Sequence, residues 1–175
     1  MTDLRRITRL ARISWFACAG LALATPVATA LGVFLAPAET LFAPLGFSSL
    51  GHASTAQILV SQCLSLSASC LAGGALWALA RGFRRVAQGE VFADEVVRAL
   101  TRFAGLLALS SLAAILTAPI VSLLLSIGTP PGEGRLSLQF GSANAFGLVA
   151  SLAVWTLSRI MVEARRLERE NREFV

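Results

Sequence analysis

Arg81-Gly-Phe-Arg-Arg-Val-Ala-Gln-Gly-Glu-Val-Phe-Ala-Asp-Glu-Val-Val-Arg-Ala-Leu-Thr-Arg102 lies between two runs that contain no Asp, Glu, Lys or Arg, 40–80 before it and 103–132 after it. A helix rises about 1.5 Å per residue, so roughly 20 apolar residues cross the ~30 Å hydrocarbon core of a bilayer, and each flanking run is long enough. Charged side chains are costly inside that core, which makes 81–102 a turn between two membrane spans. Its local grammar agrees. The helix of the preceding span is expected to continue to Gln88, with Gly89 as its left-handed stop. Phe92 then folds back against the helix ends. Asp94 and Glu95 begin the next helix with acid at its positive end, and Asp94, Arg98 and Arg102 follow at four-residue spacing.

Two further charge-free runs, 13–38 and 136–158, complete a set of four. The expected spans are 13–36, 56–80, 104–127 and 139–158. Of the fifteen basic residues, all arginine, only Arg135 lies outside the clusters Arg5 to Arg12, Arg81 to Arg102 and Arg159 to Arg172. Counted by segment, 1–12 carries +3, 81–102 carries +2 and 159–175 carries +1, whereas 37–56 carries −1 and 128–140 carries 0. Positive charge collects on the cytoplasmic side of membrane proteins, so both termini and the 81–102 hairpin are expected in the cytoplasm. Trp15, Trp77 and Trp155 all fall at the same predicted interface, where an amphipathic indole prefers to sit. At 55% hydrophobic, 14% charged and mean hydropathy +0.71, the chain is too apolar for a soluble domain of 175 residues. Long unbroken apolar runs, rather than ten-residue alternation, favour helices over a barrel. The fold class is therefore all-α: a single domain of four transmembrane helices in an up-down-up-down bundle, with a cytoplasmic hairpin 81–102 and a cytoplasmic helical tail 159–175.

Within this frame, residues 1–12 place Leu4, Ile7 and Ala11 opposite Arg5, Arg9 and Arg12, a basic amphipathic lead expected on the inner leaflet. Ala28-Thr29-Ala30 resembles a signal-peptidase site, but the apolar run continues through Leu35 and is longer than a signal h-region, so the first span is expected to be retained. Kinks are expected at Pro26 and Pro119, inside spans one and three. Pro37, Pro44, Gly46 and Gly51 mark irregular turns in the first outer loop. Small residues recur every fourth position: Gly20, Ala24, Ala28 and Gly32 in span one, Ser65, Ser69 and Gly73 in span two, and Ser110, Ala114, Ala118, Ser122 and Ser126 in span three. Such stripes let helix backbones approach closely and are expected at contacts within the bundle, with a homo-oligomer left open. Cys18, Cys63 and Cys70 read as small apolar residues at helix contacts. In the tail, Ile160, Ala164, Leu167, Asn171 and Phe174 form a narrow apolar stripe on a charged helix, too short for a coiled coil and expected to dock on the hairpin or on a partner.

These features bound the function. The net charge of +5 is explained by membrane orientation and by attraction to anionic membrane lipid, and with no basic folded domain the chain is not expected to contact nucleic acid directly. No catalytic, metal or cofactor site is legible. His52 is the single histidine, sits in a loop, and has no Cys or acidic cluster around it. Transport is the alternative class, as a small transporter or channel subunit helped by Pro26 and Pro119. It lacks an intramembrane ionisable residue, since Gln62 and Asn144 are the strongest polar groups in the spans and read as interhelical hydrogen-bond partners.

The turn Gly89-Glu90-Val91-Phe92, the following Asp94-Glu95-Val96-Val97-Arg98-Ala99-Leu100, and the ending Leu167-Glu168-Arg169-Glu170-Asn171 with a final Val175 together resemble the domain-of-unknown-function 2975 family of small four-span membrane proteins. Ala93 stands where members often carry a capping Thr or Ser. The resemblance implies residence in the bacterial cytoplasmic (inner) membrane. Members are often encoded beside a small helix-turn-helix regulator, so it also implies a regulatory or scaffolding role toward a small cytoplasmic DNA-binding protein. On that reading Arg84, Arg85, Phe92, Leu167 and Phe174 are the partner-binding residues.

Overall fold

A computed structural model describes residues 2–46, 53–90, 93–127, 129 and 136–173, and within these every side chain except those of 2–7, 165 and 168–173. The described residues form α1 (Thr2–Leu35), a short α2 (Ala38–Phe42) followed by a 3-10 turn (Ala43–Leu45), α3 (Thr55–Ala87), α4 (Asp94–Ser126) and α5 (Ser142–Glu173). Four helices, over Thr8–Leu35, Thr55–Ala87, Asp94–Ser126 and Ser142–Ala164, are long and apolar enough to cross a membrane.

The distribution of side chains supports that solvent. The buried apolar positions are mostly small, among them Ala11, Ala22, Ala75, Ala80, Ala99, Ala104 and Ala118, whereas Leu10, Phe16, Leu23, Phe34, Leu116 and Leu152 point outward. In water this arrangement would waste most of the available hydrophobic burial. In lipid it costs nothing, because hydrocarbon solvates leucine well and helix association depends on close packing between small residues. The chain is a multi-pass membrane protein.

The extensive interfaces follow chain order, α1 on α3, α3 on α4 and α4 on α5, and the two middle helices bury more of their apolar windows than the outer two. Neighbours run antiparallel. Gln62 bonds back to Val33, while Gly73, further along α3, meets Ala22, earlier in α1. Likewise Ser110 of α4 donates to the Ala68 carbonyl at 3.1 Å, and Thr101 of α4 donates to Ser158 of α5 at 3.2 Å. The start of α1 and the end of α5 therefore share one end of the structure with the end of α3 and the start of α4. This is the arginine-rich end.

The helix termini follow from local chemistry. At the start of α3, Ser54 and Gln57 form a reciprocal capping box: the Gln57 amide donates to Ser54 Oγ (3.3 Å) and the Ser54 amide donates to Gln57 Oε1 (2.7 Å). Gln57 Nε2 donates in addition to the carbonyls of Leu124 (3.1 Å) and Ile127 (3.2 Å), at the C-terminal end of α4 where carbonyls lack full intrahelical pairing. One side chain thus caps two antiparallel helices. At the other end of α3, Gly89 adopts φ 90°, its amide donates to Val86 and the Glu90 amide donates to Arg85. That is the Schellman stop expected from Gly89.

α4 starts at Asp94 behind Ala93, whose side chain makes no cap. Substituting Ala93→Ser puts a side-chain acceptor at the N-cap of α4, a change worth about 1 kcal/mol where it bonds one of the amides of the first turn. We expect a rise of a few degrees in the helix-monitored unfolding midpoint in detergent. An unchanged midpoint would show that those amides are already satisfied.

Several sequence expectations change. The basic lead is not a separate element: α1 runs unbroken from Thr2, because no Gly or Pro interrupts the chain until Gly20. The first outer loop is partly helical, and Phe42 inserts against Val121 and Leu125 of α4 rather than lying in an open turn. The fourth helix begins at Ser142, later than the expected 139. The preceding segment is extended, with the Ser137 amide donating to Ser122 Oγ (3.1 Å) and Gln139 Nε2 donating to the Pro44 carbonyl (3.2 Å). Pro26 and Pro119 lie inside α1 and α4, where spans one and three were expected to hold them.

The small-residue stripes also divide. Those of α3 and α4 face neighbours, but Gly20, Ala24, Ala28 and Gly32 are exposed, and a β-carbon on Gly20 or Gly32 would meet nothing within 4 Å. The packing face of α1 is instead Ala11, Ala22, Thr29 and Val33. Cys63 and Cys70 are exposed rather than at helix contacts.

Candidate functional site at the arginine-rich end

Beyond Trp77, one face of α3 carries Arg81, Arg84, Arg85 and Gln88, spaced by three and four residues and therefore aligned. On α4 the same spacing aligns Glu95, Arg98, Arg102 and Leu106. The Gly89 turn brings the two faces together, and close approach of the backbones is set by Gly82, where a β-carbon would lie 3.1 Å from the Ala99 Cβ. Between them is a cavity of about 620 Å³, lined by five arginines and one glutamate over a floor of Gly74, Ala78 and Leu106.

The ion pairs are few. Arg85 lies 3.3 Å from Glu90 and Arg98 lies 3.6 Å from Glu95, both pairs being largely solvated and so worth at most about 1 kcal/mol each. On sequence spacing Asp94 was the expected partner of Arg98; Glu95, one residue on, also lies within reach. No carboxylate among the described residues comes within ion-pair distance of Arg81, Arg84 or Arg102. Arg81 instead sits with its Cζ 6.0 Å from the centre of the Trp77 ring. The same pairing recurs on α5, where Arg159 lies 5.1 Å from Trp155. Two Trp-x-x-x-Arg segments thus make matching cation-π contacts, each placing an indole beneath a guanidinium at the level where the apolar helix ends.

Of the five residues expected to bind a partner, three lie among the described residues. Arg84 and Arg85 both line the cavity, and Arg84 also borders a second hollow of about 330 Å³ with Arg12, Trp15 and Phe16. Leu167 lies apart on α5 and is 58% exposed, while Phe92 and Phe174 fall outside the described residues. Of the tail's apolar stripe, the described Ile160, Ala164 and Leu167 are all exposed and not docked on the hairpin. Sequence reasoning missed Trp77, Arg81, Arg98 and Arg102 as members of one site, reading the arginines as topology signals and Arg98 and Arg102 also as a charge series with Asp94. The aligned spacings on either side of Gly89 carried the information.

Of the two polar groups singled out inside the spans, Gln62 forms the expected interhelical bond, donating from Nε2 to the Val33 carbonyl at 3.0 Å. Asn144 makes no side-chain hydrogen bond among the described residues.

No curated protein and no solved structure matches the chain. A family model does match, over residues 57–175, covering the second, third and fourth spans together with the arginine-lined cavity and the tail. The chain belongs to that family, described as protein of unknown function DUF2975.

Proposed function

We propose that this is a non-enzymatic protein of the bacterial inner membrane that holds or tunes a small cytoplasmic helix-turn-helix regulator at its arginine-rich end. The observation that carries the reading is the form of α5. It leaves the apolar span and continues as one helix to Glu173, with Leu167 standing exposed among charged residues. An apolar position held out on a charged helix is what a groove on a partner recognises, and exposure in water gives it no other stabilising role. The arginine excess orients this end toward the cytoplasm. Arg84, Arg85 and Phe92 on the hairpin, with Leu167 and Phe174 on the tail, form the docking surface.

The test is chemical crosslinking in native membranes with a C-terminal tag, comparing wild type, a variant lacking 164–173, and Leu167→Asp. A small DNA-binding protein recovered with wild type and lost from both variants is the expected result. Its absence from wild type, with a stable homo-oligomer in its place, would reject the regulatory reading in favour of a transporter or channel subunit.

A further inference from the structure

We infer that the cavity between α3 and α4 is a binding site for the phosphate headgroup of an anionic lipid, one bearing more than a single negative charge. This does not depend on the regulator proposal, although both place function at the same end of the molecule.

Charge gives the headgroup. Five guanidiniums and one carboxylate line the cavity, and with Arg85 and Arg98 paired to Glu90 and Glu95, Arg81, Arg84 and Arg102 have no carboxylate partner among the described residues and can turn their donors to a ligand. Arginine is suited to the task because its planar fork meets two phosphate oxygens at once and stays charged at any physiological pH. Three such groups around one space repel one another, and an anion with two phosphates, or a phosphate monoester, relieves that repulsion better than a single phosphodiester.

Depth gives the lipid. The cavity extends along α3 from Gln88 back to Gly74 and along α4 from Glu95 to Leu106, roughly 20 Å of helix. Arg81 stands near the middle, at the last charge before the apolar run. About 10 Å of the groove therefore lies on the arginine side and a similar length lies beside the span, floored by Gly74, Ala78 and Leu106 with Trp77 at the boundary. A soluble phosphate fills only the upper half. An amphiphile fills both, with its phosphates among the arginines and an acyl chain on the floor. The volume lies within the ordinary range of small-molecule sites, about 300–1,000 Å³.

Two variants separate charge from depth. Arg84→Gln with Arg102→Gln removes two unpaired guanidiniums from opposite walls. Gly74→Leu adds a side chain to the floor at a position where the β-carbon itself is in ordinary contact, 3.8 Å from Leu106 Cδ1. Arg166→Gln, a charge removed outside the cavity, is the control. Each protein is purified in detergent, shown to be monodisperse, and titrated by native mass spectrometry with cardiolipin, with phosphatidylcholine as the zwitterionic reference and with inorganic pyrophosphate as the headgroup without chains.

Wild type and the Arg166 control are expected to retain cardiolipin over phosphatidylcholine. The double arginine variant should lose at least about tenfold in affinity, the loss of two charge-assisted contacts. Gly74→Leu should lose cardiolipin but keep whatever pyrophosphate binding wild type shows. Equal cardiolipin retention in wild type and the arginine variant overturns the site. Pyrophosphate binding that needs Arg84 and Arg102, with no preference for cardiolipin, overturns the lipid assignment and makes the ligand a soluble phosphate. A Gly74→Leu variant that holds cardiolipin as well as wild type removes the apolar floor from the site.

Discussion

Gly73→Val is expected to separate α1 from α3 and to leave little monodisperse protein after extraction. The reason is a coincidence of two residues on facing helices. Pro26 has no amide hydrogen, so the carbonyl of Ala22 four residues earlier has no intrahelical donor and faces α3. Gly73 lets the two backbones meet there: a β-carbon at that position would lie 2.7 Å from the Ala22 oxygen and 3.3 Å from Pro26 Cδ. The obstacle is a backbone atom, which no rotamer change can move. Overpacking of this kind costs about 1–3 kcal/mol for a methyl, and valine adds two further carbons.

The series Gly73→Ala, Gly73→Val should fall stepwise in thermal midpoint in detergent. Gly20→Ala and Gly32→Ala should not fall, and serve as internal controls because both sites are open and lie on a stripe of identical spacing. A β-carbon on Gly147 would overlap Ser111 Oγ, a hydroxyl that can rotate aside, so Gly147→Ala should lie between the two groups. Equal losses at Gly20 and Gly73 would mean that the exposed face of α1 is packed in the membrane and that the α1–α3 contact does not set stability.

The contrast between those glycines marks how far the sequence could be read. The spans were legible because charge is excluded from hydrocarbon, and the Gly89 stop because few residues accept a positive φ. The packing face of α1 was not. In a soluble helix polar residues mark the outer face, but in lipid both faces are apolar, and a small-residue stripe has the same composition whether it meets a helix or an acyl chain. What distinguishes Thr29 from Ala28 is a partner, Ser69 at 3.0 Å, that lies forty residues away in the chain. The cavity was hidden for a different reason. Arg81, Arg84, Arg98 and Arg102 satisfied the orientation rule so completely that nothing remained to be explained, and only the facing of α3 and α4 shows that their side chains share one space.

Gln62→Leu is expected to destabilise the protein by about 1–3 kcal/mol, the cost of leaving one buried polar group unsatisfied. Interhelical hydrogen bonds in membranes average only about 0.6 kcal/mol, because a side chain released from one partner usually finds another. This one differs in its acceptor. The Val33 carbonyl lies four residues before Pro37, which offers no amide hydrogen, and buried Gln62 Nε2 is its donor at 3.0 Å. Substitution strands a main-chain oxygen that has nowhere to turn. The same account predicts its own rescue. Pro37→Ala restores an amide at the position that would close the last turn of α1, so in that background Gln62→Leu should cost no more than an average bond, giving a coupling of roughly 0.5–3 kcal/mol in a double-mutant cycle. Thermal midpoints of the four proteins in one detergent measure it. If Gln62→Leu costs as much beside alanine as beside proline, the missing amide is not what Gln62 replaces, and its role at the α1–α3 interface is packing alone.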